Sequence, residues 1–312
     1  MKKIFTILLV FISILLVGCG RNPNKTKYNI ISTSFPGYDF ARAIIKDVDD
    51  ISVDMLLKPG SETHDFEPTP QDIIDIKNSD IFIYVGGESD EWIDDVLKDI
   101  DVSKTVVIKL MDAVDLYEEE LTEGMEEEEE EHDEDEAEYD EHIWTSPVNA
   151  VKMINNIKEE IIKIDSNNKE QYERNANSYI SELNDIDTEI RDVVNNSKRK
   201  DLVFGDRFPL RYFVEEYGLT YHAAFPGCSE QTEASAKTIT YLINYVKDNK
   251  IPVVFHIELS NGKIADTIAK ETGAKVLEFN AVHNISKSDF DKGLTYVDYM
   301  KKNIEVLKTA LN

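Results

Sequence analysis

Six histidines are spread over 312 residues, and their neighbours decide which could hold a metal ion. His64 lies in Gly60-Ser61-Glu62-Thr63-His64-Asp65-Phe66-Glu67-Pro68-Thr69-Pro70, between a glycine turn and a double-proline exit. Imidazole ligates through a deprotonated ring nitrogen, so a histidine held in such a loop can take a transition-metal ion, whereas an isolated one is simply solvated. Pro68 and Pro70 remove two amide donors and bias the backbone towards extended conformations, which keeps the loop from coiling away. His142 stands in Asp140-Glu141-His142-Ile143-Trp144-Thr145-Ser146-Pro147, where Thr145 or Ser146 ahead of Pro147 signals a helix start just after the histidine. His256 comes at the end of the apolar run 251–257, and Asp206 just after the run 201–205, where a helix cap is its competing role. His283 is a reserve candidate, and His222 reads as a surface residue. Nothing like an H-E-x-x-H helix sets a general base beside these histidines, so hydrolytic metal chemistry is not expected.

The elements that must position these residues are legible from apolar spacing. Strands are predicted at 29–32, 51–57, 81–85 and 105–109, interleaved with helices at 38–46, 69–79 and 91–98. Alternation of this kind gives an α/β fold with mainly parallel sheets and right-handed crossovers. It places His64 on a strand-to-helix loop, where ligands gather in such domains. A helix is predicted over 148–164. Residues 167–196 contain no Gly or Pro and repeat apolar positions at Tyr172, Tyr179, Ile180, Leu183, Ile186 and Ile190, which predicts one long helix. The expected organisation is an N-terminal α/β lobe at 28–165, a linking helix at 166–198 and a C-terminal α/β lobe at 199–312. Trp92 and Trp144 serve either packing or a cleft wall.

The net charge of −28 argues against nucleic acid or an anionic membrane surface as a partner, because both select Lys and Arg patches. Seventeen of the 24 residues from Glu118 to Glu141 are acidic, with no Lys or Arg among them, so this block holds more than half of the net charge. It should repel itself, bury nothing and form a disordered excursion whose carboxylates collect divalent cations with little discrimination. Residues 1–19 read as a targeting segment, with Lys2 and Lys3 ahead of an apolar run too short and too early for a spanning helix; residues 20–27 then form a polar tether. With two cysteines, Cys19 and Cys228, no disulfide framework is expected.

The stretch from Gly60 to Pro70, together with Thr33-Ser34-Phe35-Pro36-Gly37-Tyr38-Asp39-Phe40 upstream and His142-Ile143-Trp144-Thr145-Ser146-Pro147 downstream, resembles the zinc- and manganese-binding solute receptors of bacterial ABC importers, the cluster A-I group. The resemblance covers nearly the whole mature chain. It implies two lobes joined by a rigid helix with the metal site in the cleft, no enzymatic activity, and His64 and His142 as first and second ligands. It implies a third ligand near Asp206, since the adjacent Arg207 cannot donate electrons to a metal. His256 occupies a position where relatives usually carry Glu, and Leu294 replaces an aspartate that completes many sites of the group. His64, His142, His256 and Asp206 together would form a three-nitrogen, one-oxygen set, which suits Zn2+ better than Mn2+. Leu16-Val17-Gly18-Cys19 resembles a bacterial lipobox, which implies a lipidated Cys19 and an extracytoplasmic, membrane-anchored protein. The expected partner is an ABC permease and the expected state a monomer; an adhesin with a structural metal, or a Mn2+ receptor, is the alternative. Zinc members of the group usually carry a histidine-rich loop where this chain has the acidic block, whose interior histidine is His132 alone.

Overall fold

Short apolar runs build two parallel sheets of four strands, and the loops leaving their carboxyl ends meet. In the computed structural model, residues 26–62, 66–125, 139–229 and 233–312 are described. The first lobe runs β1 (Tyr28–Ser32), α1 (Phe35–Ile44), β2 (Ile51–Met55), α2 (Pro70–Asn78), β3 (Ile81–Tyr84), α3 (Ile93–Leu97) and β4 (Val106–Lys109). Its strand order is β2-β1-β3-β4, and every pairing is parallel, with Ile30 beside both Val53 and Ile81. All four residues of β3 are buried, as expected of a central strand covered on both faces. Proline in the first turn of α1 supplies a preset φ where no amide partner is needed. The start of α2 is fixed by a capping box in which Thr69 and Asp72 satisfy each other's backbone amides.

Helices α4 (Pro147–Ile164) and α5 (Lys169–Asn195) follow. Ser146 caps α4 by accepting from the Asn149 amide. Along α5, Tyr172, Ala176, Tyr179, Leu183, Ile186, Ile190 and Val194 are buried at steps of three and four residues. That single stripe makes 27 residues, about 40 Å at 1.5 Å each, the spine against which other helices pack.

The second lobe repeats the first: β5 (Asp201–Arg207), α6 (Arg211–Tyr217), β6 (Thr220–Phe225), α7 (Ala236–Asp248), β7 (Val253–His256), α8 (Lys263–Thr272), β8 (Lys275–Glu278), α9 (Lys287–Asp291) and α10 (Tyr296–Ala310). Its order is β6-β5-β7-β8, again parallel. In both sheets the order reverses beside the first strand, and a crevice opens there at the carboxyl ends of an α/β sheet. The expected α/β class is the one observed.

Two features go beyond the expected organisation. The apolar core is continuous across the lobes, joining Ile30 and Ile83 of the first sheet to Phe204 and Phe255 of the second. Helix α10 adds to the join: the Tyr296 hydroxyl donates to the Trp144 carbonyl at 2.7 Å, and the Tyr296 amide donates to buried Asp39 at 2.9 Å.

The second feature corrects the expectation of an unpacked excursion over 118–141. Among the described residues both ends of that block are held. Glu118 bridges to Tyr139, the Glu119 carboxylate accepts from the amides of Gly227 and Cys228 at 2.9 and 3.2 Å, and Glu120 pairs with Arg211 at 3.3 Å. Tyr212 donates to the Asp140 carbonyl at 2.8 Å. The second lobe supplies amides, a guanidinium and tyrosine hydroxyls to these acidic residues, which composition alone does not disclose. Residues 126–138, including His132, lie outside the described residues, as do residues 1–25 with Cys19.

Candidate metal centre

His142 follows the acidic block and precedes a short turn, Ile143–Thr145, that leads into α4. It is fully buried. Asp140 Oδ1 accepts the His142 amide at 2.8 Å and lies 3.2 Å from Nδ1. An ionised carboxylate can only accept, so in the neutral ring the proton sits on Nδ1 and Nε2 carries the lone pair that a metal requires. Burial opposes the imidazolium, but Asp140, Glu141 and Glu119 outweigh it and hold the His142 pKa above its ordinary value.

Glu141 is buried beside it, with Ser89 donating to Oε1 from its hydroxyl at 2.6 Å and to Oε2 from its amide at 3.1 Å. Burial pushes the Glu141 carboxyl up to about 7, against the pull of His142 and the two Ser89 bonds. A carboxyl so poised gains when a cation arrives.

His283 comes from the second lobe, in the loop between β8 and α9. Its ring meets that of His142 edge-on with centroids 4.8 Å apart and lies 4.6 Å from the Trp144 ring. Its Nε2 is 3.7 Å from Glu141 Oε1. Donor atoms of Glu141, His142 and His283 all fall within 4.8 Å of one another, the one such group of three or more among the described residues. A tetrahedral zinc shell with bonds of about 2.0–2.1 Å has donor–donor edges of about 3.3–3.4 Å, so small side-chain adjustments would close this group on an ion. Trp144 is packing: it is wholly buried behind the two imidazoles, and its Nε1 donates to the Ala281 carbonyl at 2.8 Å.

His64 lies outside the described residues, but the chain on both sides of it reaches this cleft. Ser61 and Glu62 line it together with His142 and His283, and Phe66 lines the adjoining hollow with Glu141 and Ser89. Contacts from the second lobe hold the approach. Arg207 pairs with Glu62 at 3.0 Å, and the Asn284 side chain donates to the carbonyls of Lys58 and Ser61 at 2.8 and 2.9 Å. Gly227 closes another wall, where a Cβ would stand 3.2 Å from the His142 ring.

Asp206 and His256 do not join the group. The Asp206 carboxylate accepts from the Arg207 amide at 2.9 Å and the Ile257 amide at 3.2 Å, pinning the ends of β5 and β7 together. His256 Nδ1 sits 2.9 Å from the Ile257 carbonyl, and its ring faces Gly262. His222 is engaged with Tyr241 and Tyr245. Cys228 is half-buried; burial and the nearby carboxylates, Glu141 first, push its thiol well above the ordinary value, so it stays protonated. Glu141 escaped the sequence reading because it is one acid among seventeen, and only its adjacency to His142 marked it.

The geometry agrees with what the chain resembles. The profile of ZnuA, zinc-uptake complex component A, periplasmic, matches residues 30–310. The high-affinity zinc uptake system protein ZnuA of Bacillus subtilis is 36% identical over 309 residues, covering 96% of this chain and 94% of that protein. The zinc-binding lipoprotein AdcA of Streptococcus pneumoniae is 31% identical over 99% of this chain, which spans 61% of AdcA. Among solved structures, the metal-dependent lipoprotein YcdH of B. subtilis superposes with a TM-score of 0.77 at 34% identity, covering 91% of this chain and 99% of that one. The Zn(II)-bound ZnuA-like domain of S. pneumoniae AdcA superposes with a TM-score of 0.75 at 29% identity, with coverages of 91% and 99%. With a profile match over nearly its whole length and a relative of this similarity, the chain belongs to the family of zinc-uptake complex component A, the metal-binding receptors that are not enzymes.

Proposed function

We propose that this protein is the extracytoplasmic receptor of a zinc importer, which captures Zn2+ in the cleft between its lobes and hands it to an ABC permease. The observation that carries the reading is the convergence of Glu141 and His142 from the first lobe with His283 from the second, all within 4.8 Å. His64 is the fourth member of the proposed set, on a loop whose flanking residues line the same cleft. His283 takes the place that sequence gave to His256, and Glu141 that of Asp206. Three imidazoles and one carboxylate favour Zn2+ over Mn2+, which prefers oxygen-rich octahedral sites. Ligands drawn from two lobes let the ion set the lobe arrangement, and a permease can read that arrangement. Diacylation of Cys19 would tether a monomeric receptor to the outer face of the cytoplasmic membrane, with residues 20–27 as the leash.

Growth of a strain lacking the gene tests the reading. It should fail in zinc-depleted medium and recover with added zinc or with the parent gene, but not with a gene carrying His142→Ala. Undiminished zinc accumulation in the deletion strain, where no second importer is present, would refute it.

A further inference from the structure

The turn that delivers His283 is held in a conformation its sequence resists. Val282 has a φ of 62°, in the left-handed region, where a β-branched residue is an outlier that persists only if its surroundings impose it. Two contacts impose it. Trp144 Nε1 holds the Ala281 carbonyl, and the carboxylate of Glu258 accepts the amides on either side of Val282: Oε2 takes that of Ala281 at 2.7 Å and Oε1 that of His283 at 3.0 Å. Glu258 comes from a different loop, directly after β7, and the next residue, Leu259, is itself left-handed at 61°. The Val282 side chain is fully buried, so the turn cannot simply flip towards solvent.

We propose that Glu258 is a positioning residue for metal capture: its two oxygens clamp the turn at Val282 and thereby present the His283 imidazole to His142 and Glu141. This rests on the reading of His283 as a ligand. The side chain matches its task because each of its two oxygens accepts one of the two amides, whereas an amide side chain offers a single acceptor oxygen. Glutamine keeps the shape but turns one acceptor into a donor that faces an amide, so one of the two clamping bonds must be lost. The metal then meets a turn free to relax towards ordinary φ values, with the imidazole displaced from the ion.

The experiment compares Glu258→Gln with His283→Ala on metal-stripped protein. Zn2+ affinity is read by competition with a chelator, and the visible spectrum of the Co2+-loaded protein reports coordination number. Glu258→Gln should weaken Zn2+ binding about 10–100-fold, the usual cost of losing a partner that orients a ligand, and should weaken the Co2+ bands as water replaces His283. Unchanged affinity and spectrum with only a lower melting temperature would overturn the proposal and leave Glu258 a structural residue. If His283→Ala itself changes neither quantity, the ligand reading fails; if it weakens binding while Glu258→Gln does not, the clamp alone fails. Should Glu258→Gln not fold, Val282→Gly decides. Glycine adopts this φ without penalty, so affinity should stay at or above the parent's despite a lower melting temperature. A loss as large as that of His283→Ala would show that Val282 packing, and not the clamp, sets the turn.

Discussion

His142 and His283, from opposite lobes, face each other edge-on at 4.8 Å with the Trp144 ring against both. A zinc ion between them would be a crosslink between the lobes, and its loss would be felt in affinity before stability. Structural zinc sites bind with about 10–16 kcal/mol over four ligands, so one ligand is worth roughly 2.5–4 kcal/mol. His283→Ala should therefore weaken zinc binding about 100–1000-fold. His256→Ala should leave the dissociation constant unaltered and lower only the melting temperature. Titration of both variants against a zinc chelator checks the pair, and the reverse ranking would restore His256 to the ligand set.

Proton competition should be visible. The carboxylates around His142 hold its pKa above the ordinary value despite burial, and Glu141 is pushed up to about 7. Both must lose their protons to ligate, so zinc affinity should fall as pH drops from about 8 to about 6, with proton release on binding. Calorimetry in buffers of different ionisation enthalpy measures that release. An observed heat independent of the buffer at about pH 6.5 would contradict this account.

The metal-free protein should show the opposite trend in stability. Glu141 and Glu258 are pushed by burial from 4.5 up to about 7, and Asp90 from 3.8 up to about 6. Folded values above ordinary ones mean that the stability linked to these protons is fully present below about pH 4 and is lost as pH rises through about 7. For Glu141 alone the loss is on the order of 3 kcal/mol. Stripped protein should melt higher at about pH 5 than at about pH 8, and Glu141→Gln should flatten the slope. Melting curves across that interval check it; a rising melting temperature would show that burial does not dominate these groups.

The acidic block divides into parts with different work. Removing residues 126–138 should leave melting and zinc affinity intact. Glu119→Ala should lower stability by about 1–3 kcal/mol, because it strands the amides of Gly227 and Cys228 beside the metal cleft. Removing 118–140 entire should be worse still, since Asp140 orients His142. Thermal melts of the three variants test the division, and equal melting temperatures would return the whole block to a loose appendage.

What the sequence disclosed follows from how far each signal reaches along the chain. Strands and helices were legible because apolar spacing is local, as in the stripe from Tyr172 to Val194 of α5. His142 was legible because Trp144 and Pro147 travel with it. His283 stood only in reserve, because what brings it to the site is a left-handed valine and a carboxylate on another loop, neither of which leaves a pattern in its own segment. Asp206 misled for a related reason: a carboxylate at a strand end suits a metal, but here two strand-end amides claim it first.

Anomalous scattering at the zinc edge from crystals of the zinc-loaded protein is the most direct test. One strong peak is expected in the cleft, bonded to His142 and Glu141 of the first lobe and His283 of the second, with His64 completing the shell. A peak bonded to His256 or Asp206, or one held by residues of a single lobe, would contradict that ligand set.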